Sequence, residues 1–339
     1  MARRILVVRL GALGDLVHAL PAVAAMRAAW PGATLDWLVD ARYAALLELV
    51  PVLDRTVVVG GRAGRPLLPV IRNLRHAHYD LAIDFQGLLK SAVLARAAGA
   101  VETVGFVAAQ LREPAAAVFY TRRVQADDRG HVVRKNLSMV ESLGVPAREA
   151  SAPLRTTASS VPGRVRDLLQ LDATGRFAVI NPGAGWPNKQ WPAGRYGALA
   201  MHLRDRHAMP SIVTWGPKEQ ALARDVTAAS CGAAQLAPAT TIADLVELSR
   251  SASLLVAGDT GPMQLAAAVG TPVVGIFGPT NPLRNGPWRA EDTWVSRFDE
   301  CECHHKRRCR RDTPCVHTIS IEEVTGAVDR RLGGGGSRG

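Results

Sequence analysis

The chain has 339 residues, 47% of them hydrophobic, and 41 Lys and Arg against 30 Asp and Glu give a net charge of +11. Length and apolar content predict two domains of ordinary size with substantial cores. No apolar run is long enough to span a membrane, and Met1-Ala2-Arg3-Arg4 leads into a strand pattern without a signal-peptide cleavage site. The expected setting is therefore soluble and cytoplasmic, with peripheral contact to the membrane left open.

The first half alternates apolar runs with helical patterns. Strands are expected at Ile5–Val8, Thr34–Val39, Thr56–Val59, Leu81–Asp84 and Val101–Phe106, and helices at Leu16–Ala29, Tyr43–Leu49, Leu67–Ala77 and Lys90–Ala98. A further helix, His131–Leu143, ends at Gly144 with Pro146 beyond it. Residues 145–162, with Pro146, Pro153, Pro162 and a Thr/Ser-rich run, read as a linker. The second half restarts the alternation. Strands are expected at Phe177–Asn181, Ser211–Thr214, Leu254–Ala257 and Val273–Phe277, and helices at Gly194–Arg206, Lys218–Ala229, Ile242–Ser249 and Met263–Val269. This pattern predicts an α/β protein of two Rossmann-like doubly wound domains, 1–155 and 163–330, facing a central cleft, with a disordered tail over 331–339.

The charge divides as +7 over residues 1–160 and +4 over 161–339, so the first half is the better candidate for an anionic partner. Its basic residues are not interleaved with aromatics, which disfavours nucleic acid. Arg62, Arg65, Arg72, Arg75 and Lys90 are candidates for an anionic ligand, against the plainer reading of a solvated arginine-rich face.

Six segments carry chemistry. Arg9-Leu10-Gly11-Ala12-Leu13-Gly14-Asp15-Leu16-Val17-His18 follows the first strand and sets one carboxylate, Asp15, at the mouth of a sheet. Asp15 is either a helix cap or a functional acid at that point. Asn181-Pro182-Gly183-Ala184-Gly185-Trp186-Pro187-Asn188-Lys189-Gln190-Trp191-Pro192 offers backbone N–H groups and Lys189 to an anionic group, or packs on its own domain. Gly258-Asp259-Thr260-Gly261-Pro262 opens a helix whose free N–H groups suit phosphate, while Asp259 suits sugar hydroxyls. Trp215-Gly216-Pro217-Lys218-Glu219, with Glu219 placed for a ribose, and Gly278-Pro279-Thr280-Asn281-Pro282 are two more strand-end loops. Cys301, Cys303, Cys309 and Cys315 have a spacing compatible with structural zinc or with free thiols in a basic loop, and Cys231 reads as a buried hydrophobe. There is no P-loop, no G-x-S-x-G and no D-x-D carboxylate clamp.

Together these motifs resemble the ADP-heptose:lipopolysaccharide heptosyltransferases, glycosyltransferase family 9, of GT-B fold. The residues that carry the resemblance are 9–22, 84–92, 181–192, 258–268 and 277–282, and the first two segments most resemble the heptosyltransferase I branch. The Cys-rich ending is more typical of other branches. The resemblance implies an inverting transfer without a cofactor or catalytic metal, from ADP-heptose to a lipid A–Kdo acceptor. It implies Asp15 as general base, Lys189 on the ADP diphosphate, Glu219 on the ribose, Asp259 on the heptose, and Thr260, Gly261 and Pro262 at the phosphates. Gly14, His18 and Gln86, within the first two motifs, join Arg62, Arg65 and Lys90 as expected acceptor contacts. A transferase with another acceptor (heptose I of the inner core) or another nucleotide sugar, and a non-catalytic nucleotide-sugar-binding protein, are the alternatives.

Overall fold

The computed structural model describes residues 3–60, 67–147, 151–304 and 306–333. The chain divides into two compact units, Met1–Thr156 and Thr157–Gly339.

The first unit runs β1 (Arg4–Val8), α1 (Leu13–Ala29), β2 (Thr34–Asp40), α2 (Ala44–Leu47), β3 (Arg55–Val59), α3 (Leu67–His76), β4 (Leu81–Asp84), α4 (Leu89–Ala97), β5 (Glu102–Phe106), β6 (Arg122–Val124) and α5 (Val132–Glu141). Its six strands are parallel in the order β3-β2-β1-β4-β5-β6. The central strands form because runs such as Ile5-Leu6-Val7-Val8 are apolar on both faces and buried on both, as a helix-covered parallel sheet requires. Leu6, Val8, Leu38, Tyr79 and Leu94 share one core cluster.

The second unit runs α6 (Val161–Leu168), β7 (Ala178–Asn181), α7 (Ala193–His207), β8 (Ser211–Val213), α8 (Gln220–Ala229), β9 (Ala234–Leu236), α9 (Ile242–Ser251), β10 (Leu254–Gly258), α10 (Gly261–Ala268), β11 (Val273–Phe277), α11 (Pro282–Asn285), β12 (Thr293–Ser296) and α12 (Ile321–Gly333). Its parallel order, β9-β8-β7-β10-β11-β12, repeats that of the first unit. Each sheet therefore reverses direction once, between β1 and β4 and between β7 and β10. Strand ends at such reversals are where open parallel sheets generally offer a ligand-binding crevice.

Three features differ from the sequence reading. The helix α6 begins inside the expected linker, because Pro162 falls in its first turn, where the missing N–H is not needed. The short strands β6, β9 and β12 extend the sheets. The helix α12 carries through Arg331 to Gly333, so residues 331–333 of the expected disordered tail are helical. Leu332 packs on the core, and the Arg331 Nε donates to the buried Asp292 Oδ1 at 2.9 Å. Residues 334–339 lie outside the described residues. Among the described residues, no helix is long and apolar enough to cross a membrane.

Candidate functional site

In the first unit the β1 and β4 ends are tied together. The Leu10 N–H donates to Gln86 Oε1 at 2.7 Å, and the Arg9 Nη1 donates to the Phe85 carbonyl at 2.5 Å. Asp15 is the third residue of α1, and its Oδ2 accepts the Ala12 N–H at 3.0 Å and faces Arg9 Nη2 at 2.8 Å. The helix-capping role is thus real. It leaves the Asp15 side chain 43% exposed while that of Arg9 is 13% exposed, so the carboxylate still meets solvent. Partial burial works against ionisation of Asp15, but the Arg9 guanidinium, His18 and the Ala12 N–H outweigh it and hold the carboxyl below the usual carboxylate range.

At these strand ends lies Asp84, which the sequence reading passed over as the last residue of a strand. It is fully buried. Its Oδ1 accepts the N–H groups of Gln86 and Gly87 at 2.8 and 3.2 Å, and its Oδ2 accepts from Ser91 Oγ and Tyr120 OH, each at 2.8 Å. Tyr120 in turn lies against Gly105, where a Cβ would stand 2.2 Å from the ring. Burial raises the pKa of Asp84 against the four donors. This network holds the Gln86 loop in place.

The remaining first-unit candidates divide. Gly14 sits in the first turn of α1 beside Asp15, and Gln86 is at the β1 and β4 ends. Lys90, Arg72 and Arg75 are exposed. Arg75 Nε donates to the Ala97 carbonyl at 2.9 Å. His18 is buried, 4% exposed, with its ring edge-on to that of His131 at 5.3 Å, which places it in the packing under α1 rather than at the surface. Arg62 and Arg65 lie outside the described residues.

In the second unit, four loops follow the carboxyl ends of β7, β8, β10 and β11. The β7 loop brings Lys189 to Asp259 in the β10 loop, Nζ to Oδ2 at 2.6 Å, with both side chains 13% exposed. The ammonium also stands over the Trp186 ring, 4.4 Å from its centroid. No spacing pattern announces this pairing across 70 residues. Glu219, at the start of α8, accepts the Gly216 N–H at 2.9 Å and reaches the β7 loop, where a Cβ on Gly183 would fall 2.1 Å from its carboxylate. A larger residue at Gly183 would push the Glu219 carboxylate aside. Thr260 caps α10 through its backbone, and its Oγ1 is buried without a hydrogen-bond partner. Thr280 Oγ1 in the β11 loop and Asn188 Oδ1 in the β7 loop are buried in the same condition. Buried polar atoms are normally satisfied. Three unsatisfied ones on the β7, β10 and β11 loops suit a polar ligand at this sheet end.

The β7 loop is pinned from the carboxyl end of the chain. The Asn188 Nδ2 donates to the Lys306 carbonyl at 2.9 Å, and the Trp191 Nε1 to the Ile319 carbonyl at 2.9 Å. Between this loop and the arginine-rich segment runs a groove of about 550 Å³ lined by Trp191, Leu222, Arg307, Arg308, Arg311 and His317. Lys189 and Asp259 do not line it.

Cys301, Cys303 and Cys315 are buried and cluster with the partly buried Cys309. The Cys303 and Cys309 sulfurs are 3.6 Å apart, and the Arg310 N–H donates to Cys303 Sγ at 3.1 Å. Burial and the neighbouring Cys301 push the Cys315 thiol up to about 12. All are free thiols. Cys231 is not the buried hydrophobe expected. It is exposed, in a left-handed conformation (φ 48°) just past α8.

Comparison with known proteins agrees with this architecture. Residues 67–315 match the family model "Glycosyltransferase family 9 (heptosyltransferase)". A lipopolysaccharide heptosyltransferase 1 of Pseudomonas aeruginosa is 29% identical over 316 residues, 90% of this chain and 87% of that protein. The structure of the E. coli heptosyltransferase WaaC with ADP is similar at a TM-score of 0.76 and 24% identity, covering 97% of this chain and 98% of that one. A family 9 glycosyl transferase from Veillonella parvula is similar at a TM-score of 0.81 and 23% identity, with 97% of each chain covered. These likenesses put the two six-stranded sheets in the α/β GT-B fold class.

Proposed function

Because this chain belongs to glycosyltransferase family 9 (heptosyltransferase), we propose that it moves heptose from ADP-L-glycero-D-manno-heptose to the Kdo of the lipopolysaccharide inner core, with inversion at the anomeric carbon. The relative in P. aeruginosa carries the name of that first transfer. The single observation behind the reading is Asp15, an ionised, half-exposed carboxylate at the reversal of the first sheet. The acceptor hydroxyl attacks the anomeric carbon as the bond to the β-phosphate oxygen breaks. Asp15 takes the hydroxyl proton, and ADP leaves with the bonding pair. A carboxylate held below the usual range is a weak base, so its help comes late, when the attacking hydroxyl has become acidic.

The leaving diphosphate needs positive charge, and Lys189 with the N–H groups at the start of α10 supplies it. Thr260, Gly261 and Pro262 form that helix start. Glu219 holds the ribose and Asp259 the heptose. Gly14, Gln86, Lys90 and Arg72 of the first unit face the carboxylates and phosphates of the acceptor, whereas Arg75 is turned to the Ala97 carbonyl at the other end of the sheet. The test offers the purified protein ADP-heptose with Kdo2-lipid A, then with its mono-heptosylated form, and identifies the product by mass. A product only from the second acceptor overturns the choice of Kdo, and none from either overturns the heptosyl transfer.

Replacing Lys189 by Gln keeps a hydrogen-bonding side chain beside Asp259 but removes the cation, and ADP affinity measured by calorimetry falls about 10–100-fold. The acid limb of kcat/KM reports the ionisation of the base in the free enzyme. Asp15 is active when ionised, and Arg9 helps keep it so. The limb therefore lies below the ordinary Asp value of about 3.9 and moves to higher pH in Arg9→Gln. A limb that stays put in that variant removes Asp15 from the base role.

One pair of the four clustered thiols already stands at the spacing of a structural metal site. Tetrahedral zinc with Zn–S bonds of about 2.3 Å sets its sulfurs about 3.8 Å apart, and Cys303 and Cys309 are already at 3.6 Å. We propose that Cys301, Cys303, Cys309 and Cys315 hold such an ion, outside the chemistry. Purified protein is expected to carry one equivalent that Cys303→Ser loses, and a chelator is expected to lower the unfolding temperature rather than stop a folded enzyme. A metal-free, equally stable wild type leaves the cluster as packed thiols.

A further inference from the structure

Two histidines near the end of α7 meet one aspartate of α12. Asp329 Oδ1 lies 2.8 Å from His202 Nε2 and 2.7 Å from His207 Nε2, and the three atoms are within 4.8 Å of one another. The rings of His202 and His207 are 5.6 Å apart. This convergence needs the end of the helix. Ala208 turns left-handed at φ 49°, so His207 is the last residue of α7, and α12 packs along α7 to supply the carboxylate. The other oxygen, Oδ2, is held by Arg206 Nε at 3.1 Å.

We propose that His202, His207 and Asp329 form a second metal site, one that takes a divalent transition-metal ion such as Zn2+ through two imidazoles and one carboxylate. The donor set is the nitrogen and oxygen set that zinc accepts, and it is chemically distinct from the four thiols. In a tetrahedral site with bonds of about 2.0–2.1 Å the donor atoms stand about 3.4 Å apart. The rings therefore need to retreat from Asp329 by less than about 1 Å, a side-chain adjustment. Coordination uses each Nε2 lone pair, with the ring proton on Nδ1. Side-chain exposures of 24% for His202, 18% for His207 and 31% for Asp329 leave a face open to a water ligand in the fourth position. Arg206 on Oδ2 fixes the carboxylate so that Oδ1 points at the ion, the outer-shell contact that such sites use. The ion would clip the last helix of the chain to α7. This inference stands independently of the transferase reading.

The test uses the full chain, stripped of metal and dialysed against Zn2+, with bound zinc counted by elemental analysis and unfolding followed by circular dichroism. The His202→Ala/His207→Ala double variant is expected to bind one equivalent fewer than wild type, and Cys303→Ser to retain that equivalent. His207→Gln keeps a neutral hydrogen-bonding side chain beside Asp329 and is expected to lose it as well, which separates a missing ligand from a misfolded chain. Arg206→Ala is expected to keep the stoichiometry and bind about tenfold more weakly. Equal zinc in wild type and both histidine variants overturns the site and leaves a hydrogen-bonded triad. The site is equally overturned if the missing equivalent tracks Cys303→Ser alone.

Discussion

Asp15→Asn is expected to lower heptosyl transfer by about 10²–10⁴-fold while leaving ADP affinity unchanged. The substitution isolates one property. An Asn side-chain oxygen can still accept the Ala12 N–H that Asp15 accepts at 3.0 Å, so the first turn of α1 survives. What is lost is the capacity to take a proton and the negative charge facing Arg9 at 2.8 Å. Lys189, Asp259 and Glu219 belong to the other unit, so donor binding has no reason to change. Initial rates with saturating donor and acceptor, alongside ADP calorimetry, give the two numbers. Turnover within a few fold of wild type would show that Asp15 caps a helix and nothing more. A parallel loss of ADP affinity would show that the substitution disturbs more than the proton transfer.

Asp84→Ala is expected to destabilise the first unit by about 3 kcal/mol, because it strands the Tyr120 hydroxyl and two backbone N–H groups without an acceptor, while Ser91 Oγ can turn to the Leu88 carbonyl at 2.9 Å. Ser91 and Tyr120 both bury their hydroxyl ends against Asp84, and water does not reach them at the base of the sheet. For a unit of this size the loss corresponds to a fall of roughly 6–12 °C in its unfolding temperature. Calorimetry on wild type and variant reads it directly. Asp84→Asn keeps one acceptor oxygen and is expected to lose less. The pH sign is fixed by the raised pKa. The contribution of Asp84 is fully present below the ordinary Asp value, and part of it is lost as pH rises through the higher folded value. An Asp84→Ala protein as stable as wild type would mean that its donors find other partners.

The central strands were legible because a strand buried on both faces must be apolar throughout, as Ile5–Val8 and Leu254–Ala257 are. The edge strands β6, β9 and β12 were not. They have three or four residues each, and Arg122, Arg123 and Gln235 point to solvent, so no apolar run announces them. The loops around Asp15, Lys189, Glu219 and Asp259 were legible as Gly- and Pro-rich punctuation at strand ends. What each residue touches was not. The Lys189–Asp259 pair spans 70 residues and the His207–Asp329 contact 122, and only the folded sheet order brings such partners together. Asp84 was hidden for a related reason: a carboxylate at a strand end looks like any other until Tyr120 arrives from 36 residues away. His18 shows the reverse, a residue that the motif made conspicuous and the fold buried.

The ion pair between Lys189 and Asp259 bears on how readily a nucleotide comes and goes. With an internal counter-ion 2.6 Å away, the ammonium never waits bare in a partly dehydrated setting, which would be costly. With Lys189 in the proposed role on the donor, an arriving diphosphate must compete with that carboxylate for the cation, and a departing one hands it back. On that proposed role, binding is gentler than an unpaired cation would make it and release is quicker, a compromise that favours repeated cycles over tenacious grip.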